Sequence, residues 1–442
     1  MLSAVKSQPL IAVCVFVLYS LFLLTLLSIP DLPSLFAALL VVLGIVAAVW
    51  LKPTVLPFKL DDRLFLISFL LFPLVSLISF LNWPYSKEAH YRLEDYSLFV
   101  LLLPLFFVLK SYRLNIKALI ILFSCIAIFS GLESIIQYWH FKSGRGYIFT
   151  FDYYMAEIGG RPSGAVNPMR YAGITLVYST LCVAGIMFFI RRSKRLSAIL
   201  LLGVVLSCIA CLLTQVRGAW LVLPFLAIFY CFYLYQKKRK KALKVLVTLM
   251  IILVGVFATN DRIKSRVLVT ELQVNSYLTG DSSSSLGARL DMFKAAWVLI
   301  KEKPLFGHGL NSYKVKATLI RLSTPGMSRE VGMWKNPHNE VLQVMVEKGV
   351  LGLISLIVLF AGPAYIFIKG LKRKEEEICY FSMCGLSILI VYAVIGQSVA
   401  LFEHEVFNHF FILMITLFAS QVLSYRDFFD KKYSEEAVVR LG

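Results

Sequence analysis

Uninterrupted apolar runs of about 18 to 22 residues recur along this chain and constrain its fold more than any other feature. An α-helix rises about 1.5 Å per residue, so each run is long enough to cross a hydrocarbon layer of roughly 30 Å. Hydrophobic residues occupy 59% of the 442 positions, more than in a typical soluble domain. The sequence therefore predicts an all-α polytopic membrane protein.

These runs predict about twelve transmembrane helices. No small-x-small cleavage site follows the first run, so we interpret it as an uncleaved helix and not as a signal peptide. The predicted spans are 10–27, 34–51, 64–81, 96–109, 118–138, 170–190, 196–213, 219–235, 242–259, 350–368, 378–400 and 407–424.

Every second connection between these spans is densely basic, as in "RRSKR", "QKKRKK" and "KGLKRK". Positive loops favour the cytoplasmic side of a membrane, so we expect them and both termini in the cytoplasm. This bias explains much of the net charge of +19 without a nucleic-acid partner. The chain then divides into helices 1 to 9 over 1–259, a long outer loop over 260–349, and helices 10 to 12 with a cytoplasmic tail over 350–442.

The outer loop is far longer than an ordinary connection, and loops of this length are usually functional. It carries thirteen Lys and Arg against eight acids, which indicates an anionic partner unless a long loop simply escapes the charge rule. Within it, "GARLDMFKAAWVLIKEKP" predicts a helix with Arg289 facing away from an apolar stripe. That stripe comprises Leu290, Phe293, Trp297 and Ile300.

The polar stretch "WKNPHNEVLQVMVEKGVLG" ends the loop and leads into an apolar run. We predict Asn336 as the N-cap of a short helix, Pro337 in its first turn and Gly349 as its stop. His338 then lies in the first turn, where the helix dipole disfavours its protonated form. A neutral imidazole there is suited to act as a general base, although a polar first-turn residue without a role fits the same pattern.

Four arginines stand at predicted outer helix ends or in the outer loop: Arg161, Arg170, Arg217 and Arg289. A guanidinium group can bind phosphate through two parallel hydrogen bonds. Arg217 lies in "TQVRGAW", a turn with almost no loop, so its depth is fixed and a functional role is favoured. Arg170 is equally compatible with an arginine that snorkels to lipid phosphates.

The sequence predicts no metal site and no cofactor. The outer acids are scattered without a metal-ligand spacing, and no nucleotide-binding fingerprint is present. Fixed arginines and one base instead indicate a membrane-held diphosphate whose other end accepts attack by a hydroxyl group. The arginines would stabilise the departing diphosphate, and the histidine would take the proton of the incoming hydroxyl.

The segment "NPHNEVLQVMVEKGVLG" resembles the H-N-x-x-L…E-x-G-x-x-G signature of the bacterial O-antigen ligase superfamily. "TQVRGAW" is similar to its arginine turn, and "GARLDMFKAAWVLIKEKPLFGHGLN" is similar to the segment that precedes the histidine. The number of spans and the single long loop also match, so the resemblance covers most of the chain.

The resemblance implies a metal-independent, inverting glycosyltransferase of the GT-C type in the inner membrane. Such an enzyme transfers a glycan from undecaprenyl diphosphate to an acceptor on the periplasmic face. By motif match, Arg217 and Arg289 act on the diphosphate and His338 activates the acceptor. Four further residues are expected to contribute to substrate binding: Arg161, Arg170, Asn339 and Glu347.

Three branches of the superfamily share this chemistry: O-antigen ligases, O-antigen polymerases and protein O-oligosaccharyltransferases. The basic outer loop suits a phosphate-bearing lipid A–core acceptor, which favours a ligase. A lipid-linked glycan transporter is the alternative from another class. Transporters place ionisable residues at mid-membrane depth, whereas here the polar clusters gather at one face.

Overall fold

The computed structural model describes residues 2–51, 59–143 apart from positions 83 and 85, 161–237 and 261–441, with isolated positions between 240 and 255. All regular elements within these ranges are helices. In chain order they are α1 (Leu2–Thr25), α2 (Leu32–Leu51), α3 (Leu60–Leu81), α4 (Lys87–Leu101), α5 (Leu103–Ser111), α6 (Ile116–Lys142), α7 (Pro168–Phe189), α8 (Lys194–Leu213), α9 (Arg217–Trp220), α10 (Val222–Gln236), α11 (Asp261–Leu278), α12 (Ser285–Glu302), α13 (Tyr313–Ser323), α14 (Glu340–Leu371), α15 (Glu376–Ile395) and α16 (Glu405–Leu441).

Nine stretches of helix in the described ranges are long and apolar enough to span a membrane, which confirms the predicted fold class. The count of twelve is not confirmed. The stretch Leu10–Thr25 of α1 is apolar but is not counted among the nine. The predicted fourth span is divided into α4 and α5, where Pro104 in the first turn of α5 has no backbone N–H to continue a helical ladder. Much of the predicted ninth span, 242–259, lies outside the described residues.

One continuous hydrophobic core joins the spanning helices, and aromatic rings fill its centre. Phe72 on α3 lies 5.3 Å from Tyr96 on α4 and 5.4 Å from Phe402, measured between ring centroids. Phe402 in turn meets Phe411 on α16 in a T-shaped arrangement at 5.1 Å. These contacts fix α4 and the first turns of α16 against α3.

Ion pairs connect several helices at the opposite end of the bundle. Lys110 binds Asp62 at 2.7 Å, Lys369 binds Asp61 at 3.2 Å, and Arg426 also contacts Asp61. Both aspartates are almost fully buried. A buried carboxylate requires a cationic partner, so these three basic side chains hold helices together at this end.

The outer-loop helices α12 and α13 pack against the first turns of α14 around a separate small core. Of the predicted apolar stripe of α12 only Ile300 packs inward, because Trp297 is 53% exposed and Leu290 and Phe293 are only half-buried. The face that packs inward instead contains two alanines, whose small side chains let the helices approach closely. It comprises Met292, Ala295, Ala296, Leu299 and Ile300.

The helix α14 bends sharply at Gly349, where φ is 61° and ψ is −154°. Gly349 was predicted as a helix stop, and the helical hydrogen-bond pattern is indeed interrupted there, but a second helical segment follows at once. A β-carbon at this position would lie 2.3 Å from the backbone oxygen of Leu305. Only glycine satisfies both the backbone conformation and this contact.

Candidate active site

The polar segment before α14 adopts a different start from the predicted one. The helix begins at Glu340, and the side chain of Asn339 caps it by accepting a hydrogen bond from the backbone N–H of Leu342 at 3.0 Å. Asn336 is therefore not the N-cap. Its side-chain oxygen accepts the backbone N–H of His338 at 2.9 Å, and His338 lies outside the helix with a positive φ of 55°.

Arg161, Arg217 and Arg289 line one open cavity of about 370 Å³. Three residues separate α8 from α9, and Gln215 within this turn has a positive φ of 55°, so Arg217 is presented directly at the bundle end as the sequence predicted. One Arg217 guanidinium nitrogen donates to the hydroxyl of Thr270 on α11 at 2.9 Å. The cavity thus gathers three of the four predicted arginines.

Arg289 reaches this cavity from α12, which is anchored through its own Asp291. One carboxylate oxygen of Asp291 accepts the hydroxyl of Tyr277 at 3.0 Å, and the other accepts the backbone N–H of Ser328 at 2.8 Å. Burial lowers the pKa of Arg289, and the nearby positive charge of Arg217 lowers it further. Two guanidinium groups close enough to repel each other create a positive potential, and such a potential attracts an anion.

His338 is half-buried and within electrostatic range of Arg289. Burial lowers the pKa of its imidazole, Arg289 lowers it further, and Glu330 opposes the shift. The imidazole is therefore neutral at neutral pH, as predicted, although the cause is burial and a neighbouring cation. The ring of Trp334 meets it edge to face at 5.8 Å.

Arg170 lies outside the set of residues that line the arginine cavity. One of its guanidinium nitrogens is 2.8 Å from Nδ1 of His404. Burial and then Arg170 lower the pKa of His404 to about 3, so this imidazole stays neutral and accepts the hydrogen bond. Arg170 and His404 form a pair beside the site, since His404 is also close enough for its pKa to respond to His338.

Glu347 and Asn339, both predicted to bind substrate, are engaged within the protein. The Glu347 side chain is fully buried and accepts two hydrogen bonds from Arg92, at 2.6 and 2.9 Å. It also accepts the side-chain amide of Gln343 at 2.6 Å and the backbone N–H of Asn311 at 2.8 Å. These carboxylate contacts hold α14 against α4, and Asn339 serves as the helix cap.

Arg92, Lys348 and Glu403 are charged residues that sequence reasoning did not single out. Arg92 lies 3.4 Å from Glu403 in addition to its bonds with Glu347. Lys348 is buried, with its ammonium group 4.0 Å from the ring centroid of Phe72 and 4.6 Å from that of Tyr96. Their positions in the sequence could have identified them. Each lies at the edge of a predicted span, where a charged side chain requires a partner.

The segment 304–309 fastens the bend of α14. His308 and Gly309 donate their backbone N–H groups to the carbonyls of Val346 and Glu347 at 2.8 and 2.9 Å. The carbonyl of Pro304 accepts the N–H of Val350 at 2.8 Å. The backbone groups that the bend releases are thereby satisfied. The His308 side chain is buried and hydrogen-bonded to the Leu299 carbonyl at 2.9 Å, so it belongs to the packing of the outer loop.

Among the described residues, Asp95, Glu405 and His409 bring three potential ligand atoms within 4.8 Å of one another. The two acids each lie 3.8 Å from a ring nitrogen of His409. The sequence did not reveal this group because its members come from α4 and α16. They already pair with one another, which accounts for their proximity without an ion.

An apolar groove of about 530 Å³ runs between α14 and α15 and ends at Glu340 and Gln397. The groove lies beside the arginine cavity. A β-carbon on Gly218, which lines that cavity, would lie 3.1 Å from the side chain of Ser398, the residue after Gln397. An apolar groove among the spanning helices therefore lies near the cationic cavity at the bundle end.

The fold and this geometry define a class of protein: a polytopic membrane protein with a cationic, histidine-bearing site at one end of its helices. A family model described as "O-Antigen ligase" matches residues 202–357, which include Arg217, Arg289, His338 and Glu347. An uncharacterized protein of Haemophilus influenzae is 24% identical over 405 residues, which is 91% of this chain and 96% of that protein.

The match over residues 202–357 supports assignment of the chain to the O-antigen ligase and polymerase superfamily. This confirms the resemblance drawn from the three motifs. Members of the family are glycosyltransferase-like enzymes, so the arginine cavity and its histidine are the candidate centre of a transfer reaction.

Proposed function

We propose that this protein is an O-antigen ligase. It transfers a glycan from undecaprenyl diphosphate to a hydroxyl group of lipid A–core on the periplasmic face of the bacterial inner membrane. The observation that carries the proposal is the meeting of Arg161, Arg217 and Arg289 at one cavity, with the neutral imidazole of His338 within electrostatic range of Arg289.

The three guanidinium groups hold the donor diphosphate. Each guanidinium offers a planar fork of N–H donors that matches phosphate oxygens. The charge on the diphosphate grows as it leaves, so the arginines bind it more strongly in the transition state than in the ground state. Their fixed positive charge supplies the stabilisation that a divalent ion supplies in other transferases, and the proposed reaction is metal-independent.

His338 acts as the general base for the acceptor. The acceptor hydroxyl oxygen forms a bond to the anomeric carbon of the donor sugar while the bond from that carbon to the diphosphate oxygen breaks. The hydroxyl proton passes to the imidazole, and undecaprenyl diphosphate leaves with the bonding electron pair. Attack from the side opposite the leaving group inverts the configuration at the anomeric carbon.

The remaining predicted residues support this reaction in different ways. Arg170 pairs with His404 beside the site, while Asn339 and Glu347 position the helix that follows His338. The apolar groove between α14 and α15 has the chemistry to hold an isoprenoid chain close to the diphosphate cavity.

The test is a transfer assay with the full chain purified in detergent. We would supply undecaprenyl-diphosphate-linked glycan together with lipid A–core and follow the acceptor by its shift on a gel. A shift that disappears with His338→Ala, while the variant still elutes as a folded protein, supports the ligase. Lengthening of the donor glycan without an acceptor shift would indicate an O-antigen polymerase with the same centre. Transfer to an added Ser- or Thr-bearing peptide alone would indicate a protein O-oligosaccharyltransferase.

A further inference from the structure

A chain of polar contacts leads from the membrane-spanning helices to the backbone of His338. Arg92 on α4 lies 3.4 Å from one carboxylate oxygen of Glu403. The other oxygen of Glu403 accepts a hydrogen bond from the side-chain nitrogen of Asn336. The side-chain oxygen of Asn336 accepts the backbone N–H of His338 at 2.9 Å. Three separate segments of the chain are thus joined through side chains to one residue.

These contacts hold His338 in a conformation that it would not adopt unaided. Its φ of 55° lies in the left-handed region, which costs a non-glycine residue energy and requires support from its surroundings. Asn336 provides that support directly, and its amide can serve both neighbours in only one orientation. Its nitrogen must face Glu403 so that its oxygen can face His338.

Burial makes this orientation strict. Arg92, Asn336 and Glu403 are all shielded from water. A donor or acceptor among them that lost its partner could not form a replacement hydrogen bond with solvent, which is energetically costly. Arg92 is itself fixed by its two hydrogen bonds to Glu347 on α14. The Arg92 guanidinium group therefore contacts the helix that follows His338. Through Glu403 and Asn336 it is also linked to the turn that contains His338.

We propose that Arg92, Glu403 and Asn336 are positioning residues that set the placement of the His338 imidazole relative to the arginine cavity. This inference rests on the proposed function, since it assigns a role in the same reaction. None of the three contacts substrate. They determine how well the base is aligned, so they govern turnover and leave the affinity for the donor unchanged.

The test exploits the direction of the hydrogen bond between Asn336 and Glu403. Asn336→Asp places two carboxylates against each other, and Glu403→Gln presents an amide donor to the Asn336 nitrogen. Each single change should lower kcat by roughly tenfold to a hundredfold at an unchanged donor KM. The double variant reverses the bond, since the new amide donates to the new carboxylate while its oxygen still faces Arg92. It should return kcat to within about threefold of the wild type.

The transfer rate is measured per folded molecule, with the acidic limb of kcat/KM against pH as a second readout. A displaced imidazole loses part of its burial and its closeness to Arg289, so the limb should move to higher pH in Glu403→Gln. Asn336→Asp adds a carboxylate beside His338, which raises the imidazole pKa even without displacement, so the limb is compared in Glu403→Gln and the wild type only. A network with only a structural role would lower the yield of folded protein without moving this limb.

Asn115→Ala is the matched control. Asn115 is also an asparagine whose side chain caps a backbone N–H, that of Ala118 at 3.2 Å, but it lies at the start of α6 and outside the site. Its removal should leave kcat unchanged.

Wild-type kcat in the single variants, or a double variant no better than the singles, overturns the positioning role while the proposed function stands. Absence of transfer by the wild type refutes the function and the inference with it.

Discussion

Arg217 and Arg289 show at the level of single residues what the site is built to receive. Their guanidinium groups are close enough that the charge of one lowers the pKa of the other. Such repulsion between like charges is unfavourable, and a bound dianion would relieve it. The two residues come from different helices, α9 and α12, and the fold brings them to one cavity.

Arg217→Lys tests whether the geometry of the guanidinium matters in addition to its charge. Lysine keeps the positive charge but loses the planar fork that contacts two phosphate oxygens at once. We expect kcat/KM for the donor to fall by about tenfold to a hundredfold. Arg195→Lys, an exposed position at the start of α8, is the control and should have no effect. Full activity of the Arg217→Lys enzyme would show that charge alone suffices.

The acidic limb of the pH–rate profile tests the protonation state of His338. A base is active only when neutral, and its lowered pKa means that activity persists below the ordinary imidazole value of about 6.5. Activity is lost as the pH falls through the shifted pKa. Because the carboxylate of Glu330 raises this pKa, Glu330→Gln should move the limb further towards low pH. A shift in the opposite direction would contradict the assigned electrostatics.

At the level of secondary structure, the bend at Gly349 places the polar start of α14 beside the outer loop. Gly349→Ala should lower the thermal midpoint of the detergent-solubilised protein, because alanine pays roughly 1–2 kcal/mol for the left-handed conformation and also meets Leu305. Gly326→Ala is a matched control, since Gly326 also has a positive φ, 81°, but open space around it. Equal midpoints for the two variants would show that the contact with Leu305 is unimportant.

The elements also show which features of the sequence are predictive. The apolar runs identified most spanning helices because the bilayer imposes a length and a hydrophobicity on them. The outer helices carry no such constraint, and the stripe predicted for α12 failed because two alanines, Ala295 and Ala296, pack more closely than Trp297 could. The cap at Asn339 was missed because Asn336 also precedes the helix, and only the backbone decides between them.

Across the whole molecule, three of the four predicted arginines, Arg161, Arg217 and Arg289, line one cavity. Arg217, Arg289 and His338 were identifiable because each stands in a short motif beside an apolar run. Arg92 and Glu403 were not, because the significance of each depends on a partner hundreds of residues away. Glu347 was noticed, but its full burial and its pairing with Arg92 are consequences of how α4, α14 and α16 pack. A single sequence does not show which charged residues pair when they are distant along the chain.

The central claim is a division of labour in which arginines bind the lipid diphosphate and His338 moves the proton. The most direct measurement is the affinity of the purified full chain for undecaprenyl-diphosphate-linked glycan, set beside its transfer rate, for the wild type and His338→Ala. We predict that His338→Ala binds the donor with wild-type affinity and transfers at less than about a thousandth of the wild-type rate. Transfer by His338→Ala at the wild-type rate would contradict the account.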